Sequence, residues 1–143
     1  MFSKPDKIYA LFDHTSDLGV EVKGTDLHNL FENAGFALFD LMTSLEKVQI
    51  KECRDISLQS DDIELLLREW LGELLYLSVV DEFLFKSFNI KEISKNALYA
   101  KVCGEKFDTE RHILKREIKS VTYHQLKVKR VKGEWKARFV LDI

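Results

Sequence analysis

Apolar residues recur every three or four positions in two stretches of this chain and alternate with polar ones in most of the others. After Thr25, read as an N-cap, Leu27, Leu30, Phe31, Ala34, Leu38 and Leu41 share one helical stripe. A second helix opens at Ser60-Asp61-Asp62, whose acidic side chains suit the positive end of a helix dipole. It carries Ile63, Leu66, Leu67, Trp70, Leu71, Leu74 and Leu75 in the same rhythm. Stripes of this kind are core faces. Alternation over Leu18/Val20/Val22, Val48/Ile50, Ile56/Leu58, Leu98/Ala100/Val102 and Trp135/Ala137/Phe139/Leu141 predicts strands. Ser94-Lys95-Asn96-Ala97 reads as a hairpin turn after a strand holding Phe88 and Ile90, and Asp81-Glu82 as the turn that ends the second helix. Several strands around two helices, without a regular βαβ rhythm, predict an α+β fold. The expected arrangement is a single domain over residues 1–143, a mostly antiparallel β-sheet with the two main helices packed on one face.

The last hairpin supports a sharper expectation. A turn at Lys132-Gly133 sets Val131 opposite Glu134, Val128 opposite Ala137 and Leu126 opposite Phe139. The same register, extended, brings His124 opposite Leu141 and Tyr123 opposite Asp142. One conflict is visible in the pattern. Val121 and Tyr123 hold one parity of that strand, Leu126 and Val128 the other. Either both faces are buried or a bulge near His124-Gln125 shifts the pairing by one residue.

A length of 143 residues with 45% hydrophobic and 11% aromatic content suffices for a full core without a disulfide or a structural metal. No apolar run approaches a membrane span and the first residues lack a signal-peptide core, so a soluble, cytoplasmic protein with no membrane partner is expected. Cys53 and Cys103 lie far apart in the chain, outside any C-x-x-C, and are read as buried, reduced thiols. A net charge of −2 argues against a protein built to grip nucleic acid by itself. The charge is uneven, however. Between Arg111 and Arg138 lie Lys115, Arg116, Lys119, Lys127, Lys129, Arg130, Lys132 and Lys136, opposed only by Glu117 and Glu134. A solvated hairpin face whose lysines discourage edge pairing is the simpler account. A docking surface for RNA or an acidic partner is the other.

The richest chemistry lies in Asp13-His14-Thr15-Ser16-Asp17-Leu18-Gly19, between two strand-like runs. Read alone, it is an Asx or Ser/Thr turn whose side chains bond nearby backbone. Its meaning changes beside Leu141-Asp142-Ile143, where the Asp142 side chain and the α-carboxylate of Ile143 sit within a residue of each other. Anions so close repel unless a cation intervenes. If Asp17 folds in beside them, the cluster is a set of hard oxygens, joined by at most one nitrogen from His14. Such donors suit Ca²⁺, Mg²⁺ or Mn²⁺ better than Zn²⁺ or copper. Elsewhere, His28 reads as a surface residue and Glu69 and Glu73 as solvated charges. His112 joins the cluster only if its loop folds over it. P-loop, dinucleotide, nucleophile-elbow, zincin and kinase signatures are absent.

Four blocks occur in an order that resembles one known family: DHTSDLG at 13–19, EWLGELLYL at 69–77, EIKSVTYH at 117–124 and the final LDI at 141–143. They look like archease, an accessory protein of the RtcB-type RNA ligase that joins tRNA exon halves, and the likeness covers essentially the whole chain. Ser16 stands where the family often has Ala, Gly72 where Asn is common, and Ser120 where Ala is usual. None of these departures removes a carboxylate. The resemblance implies a non-enzymatic activator that promotes guanylylation of the ligase by GTP, multiple turnover and broader nucleotide use. It implies a divalent cation, Ca²⁺ above all, at Asp17, Asp142 and Ile143. It makes Asp13, His14, Lys119, Tyr123 and His124 candidate site or docking residues, with RNA contacted indirectly if at all. Two other classes stand beside it: a metal-dependent phosphoesterase using His14 or His124 as general base, and a chaperone-like protein-binding module.

Overall fold

Two helices lie between two antiparallel sheets, and they bury the stripes that their spacing marks out. The computed structural model describes residues 8–14 and 16–143, with the side chains of Asp13 and His14 outside the description. Strands β1 (Tyr9–His14) and β2 (Asp17–Gly24) form a hairpin that leads into α1 (Leu27–Met42). A short 3-10 turn, Leu45–Lys47, precedes β3 (Glu52–Gln59) and α2 (Ile63–Val80). Then come β4 (Phe83–Ile93), β5 (Ala97–Lys106), β6 (Ser120–Val121), β7 (Lys127–Val131) and β8 (Glu134–Asp142). The first sheet runs β1-β2-β8-β6, with β7 also paired to β8, and the second runs β3-β5-β4.

The fold class is α+β with antiparallel strands, as the pattern predicts; the strands divide into two sheets, and α1 and α2 touch both. Helix α1 sets Leu30, Phe31, Ala34, Leu38 and Leu41 into the core, and α2 sets Leu66, Leu67, Trp70, Leu71, Leu74 and Leu75 there. Full burial of such side chains stabilises by roughly 1.5–3 kcal/mol each, before chain entropy is charged against it. Trp70 also donates its indole N–H to the Phe31 carbonyl at 2.8 Å, so its one polar atom is not stranded.

Local details correct several expectations. The N-cap of α1 is Asp26, one residue after Thr25, because its carboxylate accepts the Asn29 N–H at 2.7 Å. Val48 and Ile50 form no strand. Val48 is buried behind the 3-10 turn, and its carbonyl takes the Lys86 ammonium at 3.0 Å, while Ile50 is exposed. Nor are the cysteines reduced and both buried. Register sets Cys53 opposite Cys103 on β3 and β5, and the two are joined in a disulfide, Cys53 exposed and Cys103 buried. Distance along the chain was a poor guide, since strand pairing abolishes it. At the final hairpin Val131 faces Glu134 and Val128 faces Ala137 as expected, but Val121 faces Leu141 and Ser120 faces Asp142. Tyr123 and His124 therefore do not pair with Asp142 and Leu141. The excursion between β6 and β7 is larger than a one-residue bulge, with Gln125 at φ 51°.

Candidate functional site

The chemistry collects at one end of the first sheet because β8 lies between β2 and β6. Leu18 and Val121 both pair with Leu141, and all three side chains turn inward. The next position along each strand must therefore face outward. Ser120 is paired with Asp142 there, and the β2–β8 register extended by one residue brings Asp17 beside Asp142. One outward row thus reads Asp17, Asp142, Ser120. Both aspartates are half-buried, and the Asp142 carbonyl accepts the Lys119 N–H at 2.7 Å. Ile143 follows, exposed. The backbone of His14 is opposite Asp17 in the β1–β2 hairpin. The side chains of Asp13 and His14, and Thr15 as a whole, lie outside the described residues, so their part in the cluster goes with them.

One row further in, Gly19 sits opposite Phe12 and Val140. A Cβ at Gly19 would collide with the Phe12 ring, so glycine here is what lets that ring lie flat across the strand. The Arg138 guanidinium lies 4.2 Å from the centroid of the same ring, reaching the Glu21 carboxylate at 3.4 Å and the Gln125 amide oxygen at 3.2 Å. This stack closes the outward face beside the aspartates.

On the other side of β6, a groove of about 560 Å³ is lined by Arg68, Glu69, Gly72, Tyr76, Val79 and Lys119 among others. Two of the sequence blocks, on α2 and around β6, meet along it. Tyr123 leaves the sheet and turns its ring under the Arg68 guanidinium, 4.0 Å away, and His124 stands exposed with its N–H on the Thr122 hydroxyl at 3.1 Å. Asp17 and Asp142 thus lie together on the outward face with Ile143 exposed just beyond the end of β8, Lys119 borders both regions, and Tyr123 sits against α2. The residues that sequence reasoning missed are Arg68, Tyr76 and Val79. The signal existed for two of them: Tyr76, Val79 and Val80 are large apolar residues on the solvent side of an otherwise amphipathic helix, and all are exposed.

His112 belongs elsewhere. Its Nδ1 accepts the Asp108 N–H at 2.9 Å, which leaves Nε2 to donate to buried Glu105 at 2.9 Å. Burial alone would push the Glu105 carboxyl up. Hydrogen bonds from Arg111, the Gln49 N–H and His112 together outweigh that, and hold its pKa down at about 2. This network ties the connection between β5 and β6 to the second sheet; it is not part of the carboxylate row.

As a donor set, Asp17 and Asp142 offer hard oxygens at neighbouring cross-strand positions, which is the chemistry of an oxygen-seeking divalent cation. Among the described residues, no three His, Cys, Asp or Glu side chains gather as a ligand group, so a cation here would need further oxygens beyond the two aspartates. No helix among the described residues is long and apolar enough to cross a membrane.

Known proteins are similar to this chain in sequence and fold. The profile of the archease protein family (MTH1598/TM1083) matches residues 9–143. Protein archease of Methanosarcina mazei is 40% identical over 141 residues, 96% of this chain and 97% of that one. Protein archease of Thermococcus kodakarensis is 38% identical over 92% of this chain and 96% of its own. The solution structure of Methanobacterium thermoautotrophicum protein 1598 superposes with a TM-score of 0.79 at 33% identity, covering 95% of this chain and 99% of that one. A Thermotoga maritima protein described as an archease and possible chaperone shares the fold, with a TM-score of 0.64 at 20% identity. With the profile spanning both the aspartate row and the groove, and relatives matching at nearly full length, the chain belongs to the archease family.

Proposed function

We propose that this protein is a non-catalytic activator of an RtcB-type tRNA-splicing RNA ligase, promoting GTP-dependent guanylylation and repeated turnover of that enzyme. The observation that carries the reading is the outward row of Asp17 and Asp142, two carboxylates brought together from distant parts of the chain. Asp17, Asp142 and Ile143 are the proposed holders of a divalent cation, Ca²⁺ first, with Mg²⁺ or Mn²⁺ as substitutes. A bound cation would supply positive charge for a triphosphate. The chain's own part is to hold the carboxylates at a sheet end, where β2 and β8 fix their separation. Arg138 over Phe12 shields one flank of the row, and the groove beside Lys119 offers the ligase a place to rest. Activation then works by favouring the ligase conformation competent for transfer, since binding shifts an equilibrium only through differential affinity.

Asp17→Ala and Asp142→Ala should each fold normally, with melting temperatures within about 2 °C of wild type, because both side chains face outward. Each should lose at least roughly ten-fold in ligase–GMP formation, about 1.4 kcal/mol of coupling. The assay mixes protein, ligase and labelled GTP and follows ligase–GMP. Phosphate release without ligase would speak for a phosphoesterase instead. Intact activation by both variants would sink the assignment of the row.

A chaperone-like role has one observation in its favour: the exposed apolar ridge of Tyr76, Val79, Val80 and Leu114. Suppression of an unrelated protein's aggregation, lost in Val79→Lys, is its test.

A further inference from the structure

The outward face of the first sheet carries a second pattern, away from the aspartates. Lys136 on β8 pairs with Lys23 on β2 and with Lys129 on β7, so three lysines stand in one row across three strands. In the next row Glu21, Arg138 and Lys127 are aligned in the same way. Neighbours within a row are about 4.8 Å apart and the rows about 7 Å apart, from ordinary sheet geometry. Like charges directly opposite one another destabilise a sheet, and Lys136 faces two of them. Internal neutralisation of the lysines on β7 and β8 is small. Among the described residues Lys127, Lys129 and Lys136 make no ion pair, Glu21 is engaged by Arg138, and Glu64 accepts the Val128 N–H at 3.1 Å. A groove of about 560 Å³ runs here, lined by these three lysines, Arg138 and those two glutamates, with Val128, Val131 and Ala137 also in its wall.

Edge protection explains lysines on β7, which borders the sheet. It does not explain Lys136 and Lys23, because β8 and β2 are interior strands. Across β2, β8 and β7 the two rows hold only charged side chains, with the small Ala10 continuing the Glu21 row on β1, whereas a protein partner needs a larger buried apolar centre to bind well. A phosphate backbone is gripped by charge alone.

We propose that this face binds the sugar–phosphate backbone of a nucleic-acid strand. The proposal is independent of the ligase reading, since it is tested without ligase. The contact is weak and salt-sensitive, because the chain as a whole carries a net charge of −2. A dissociation constant on the order of 10⁻⁵ M at low salt, with a slope of log affinity against log salt of about −2, corresponds to some three neutralised phosphates.

The experiment titrates a short unstructured fluorescent RNA with the full chain at several KCl concentrations. The double variant Lys129→Glu, Lys136→Glu should bind at least about ten-fold more weakly, while Lys91→Glu, on the second sheet, should bind as wild type. Lys136→Thr separates function from folding. It should weaken RNA binding yet raise the melting temperature by about 2 °C, because cross-strand repulsion is relieved. Absence of salt-dependent RNA binding, or equal binding by the double variant, overturns the proposal. So does a fall in melting temperature for Lys136→Thr. Tighter binding to poly-glutamate than to RNA would move the face to an acidic protein, and tighter binding to phosphatidylserine vesicles to a membrane surface.

Discussion

Glu105 is ionised inside the protein, and its surroundings decide how the fold meets acid. Its folded pKa of about 2 lies below the ordinary 4.5, so its stabilisation is complete above about pH 4.5 and is lost as the pH falls toward 2. Melting temperature measured against pH should drop through that window in the wild type and decline less steeply in Glu105→Gln. Glu105→Ala should be destabilised by about 3 kcal/mol at neutral pH, because Arg111, His112 and the Gln49 N–H lose a shared acceptor. An identical pH profile for wild type and Glu105→Gln would show that the pocket contributes nothing. Nothing local in the sequence marks this network, since Glu105 reads as one more charge near a strand end. Asp17 and Asp142 stood out in the sequence for the opposite reason, polar groups crowded at a strand end and at the chain's last residues, but that they share one row follows only from the β2–β8 register.

At the scale of elements, α2 holds a residue that works against its own helix. Gly72 lies in the interior of α2, and a Cβ added there would meet nothing within 4 Å. Gly72→Ala should therefore stabilise the protein by about 1 kcal/mol, near 3 °C in melting temperature. The same residue lines the groove beside Lys119. Ligase activation that falls while stability rises would show that a partner approaches the bare backbone; unchanged activation would leave Gly72 as plain helix weakness. Both helices were readable because their period is set by one-sided burial, and the final turn because Lys132-Gly133 separates two strand-like runs. The Val48/Ile50 strand was misread because a short loop can bury one side chain and expose another without any ladder. The pairing of β6 escaped for a related reason. The change of parity between Val121 and Val128 announced an interruption, but the number of residues looped out depends on Tyr123 finding Arg68 on another element.

For the whole molecule, the Cys53–Cys103 bond closes a sequence separation of 50 between strands that already pair. Loop-closure entropy assigns such a link roughly 4 kcal/mol, or about 10 °C in melting temperature for a chain of this size. Melting with and without a thiol reductant measures it, and an unchanged transition would show that the sheet alone holds these strands. The position of β8 has a consequence in time. It is the partner of β2, β6 and β7, yet it comes after all of them in the chain. A ribosome delivering the chain presents the β1–β2 hairpin early, with one edge of β2 unpaired until β8 emerges. Contacts so remote in sequence form slowly, since the closure entropy is lost before they can return it. The Asp17–Asp142 row thus cannot exist before β8 has emerged, and a nascent chain that lacks β8 offers a partner only half of it.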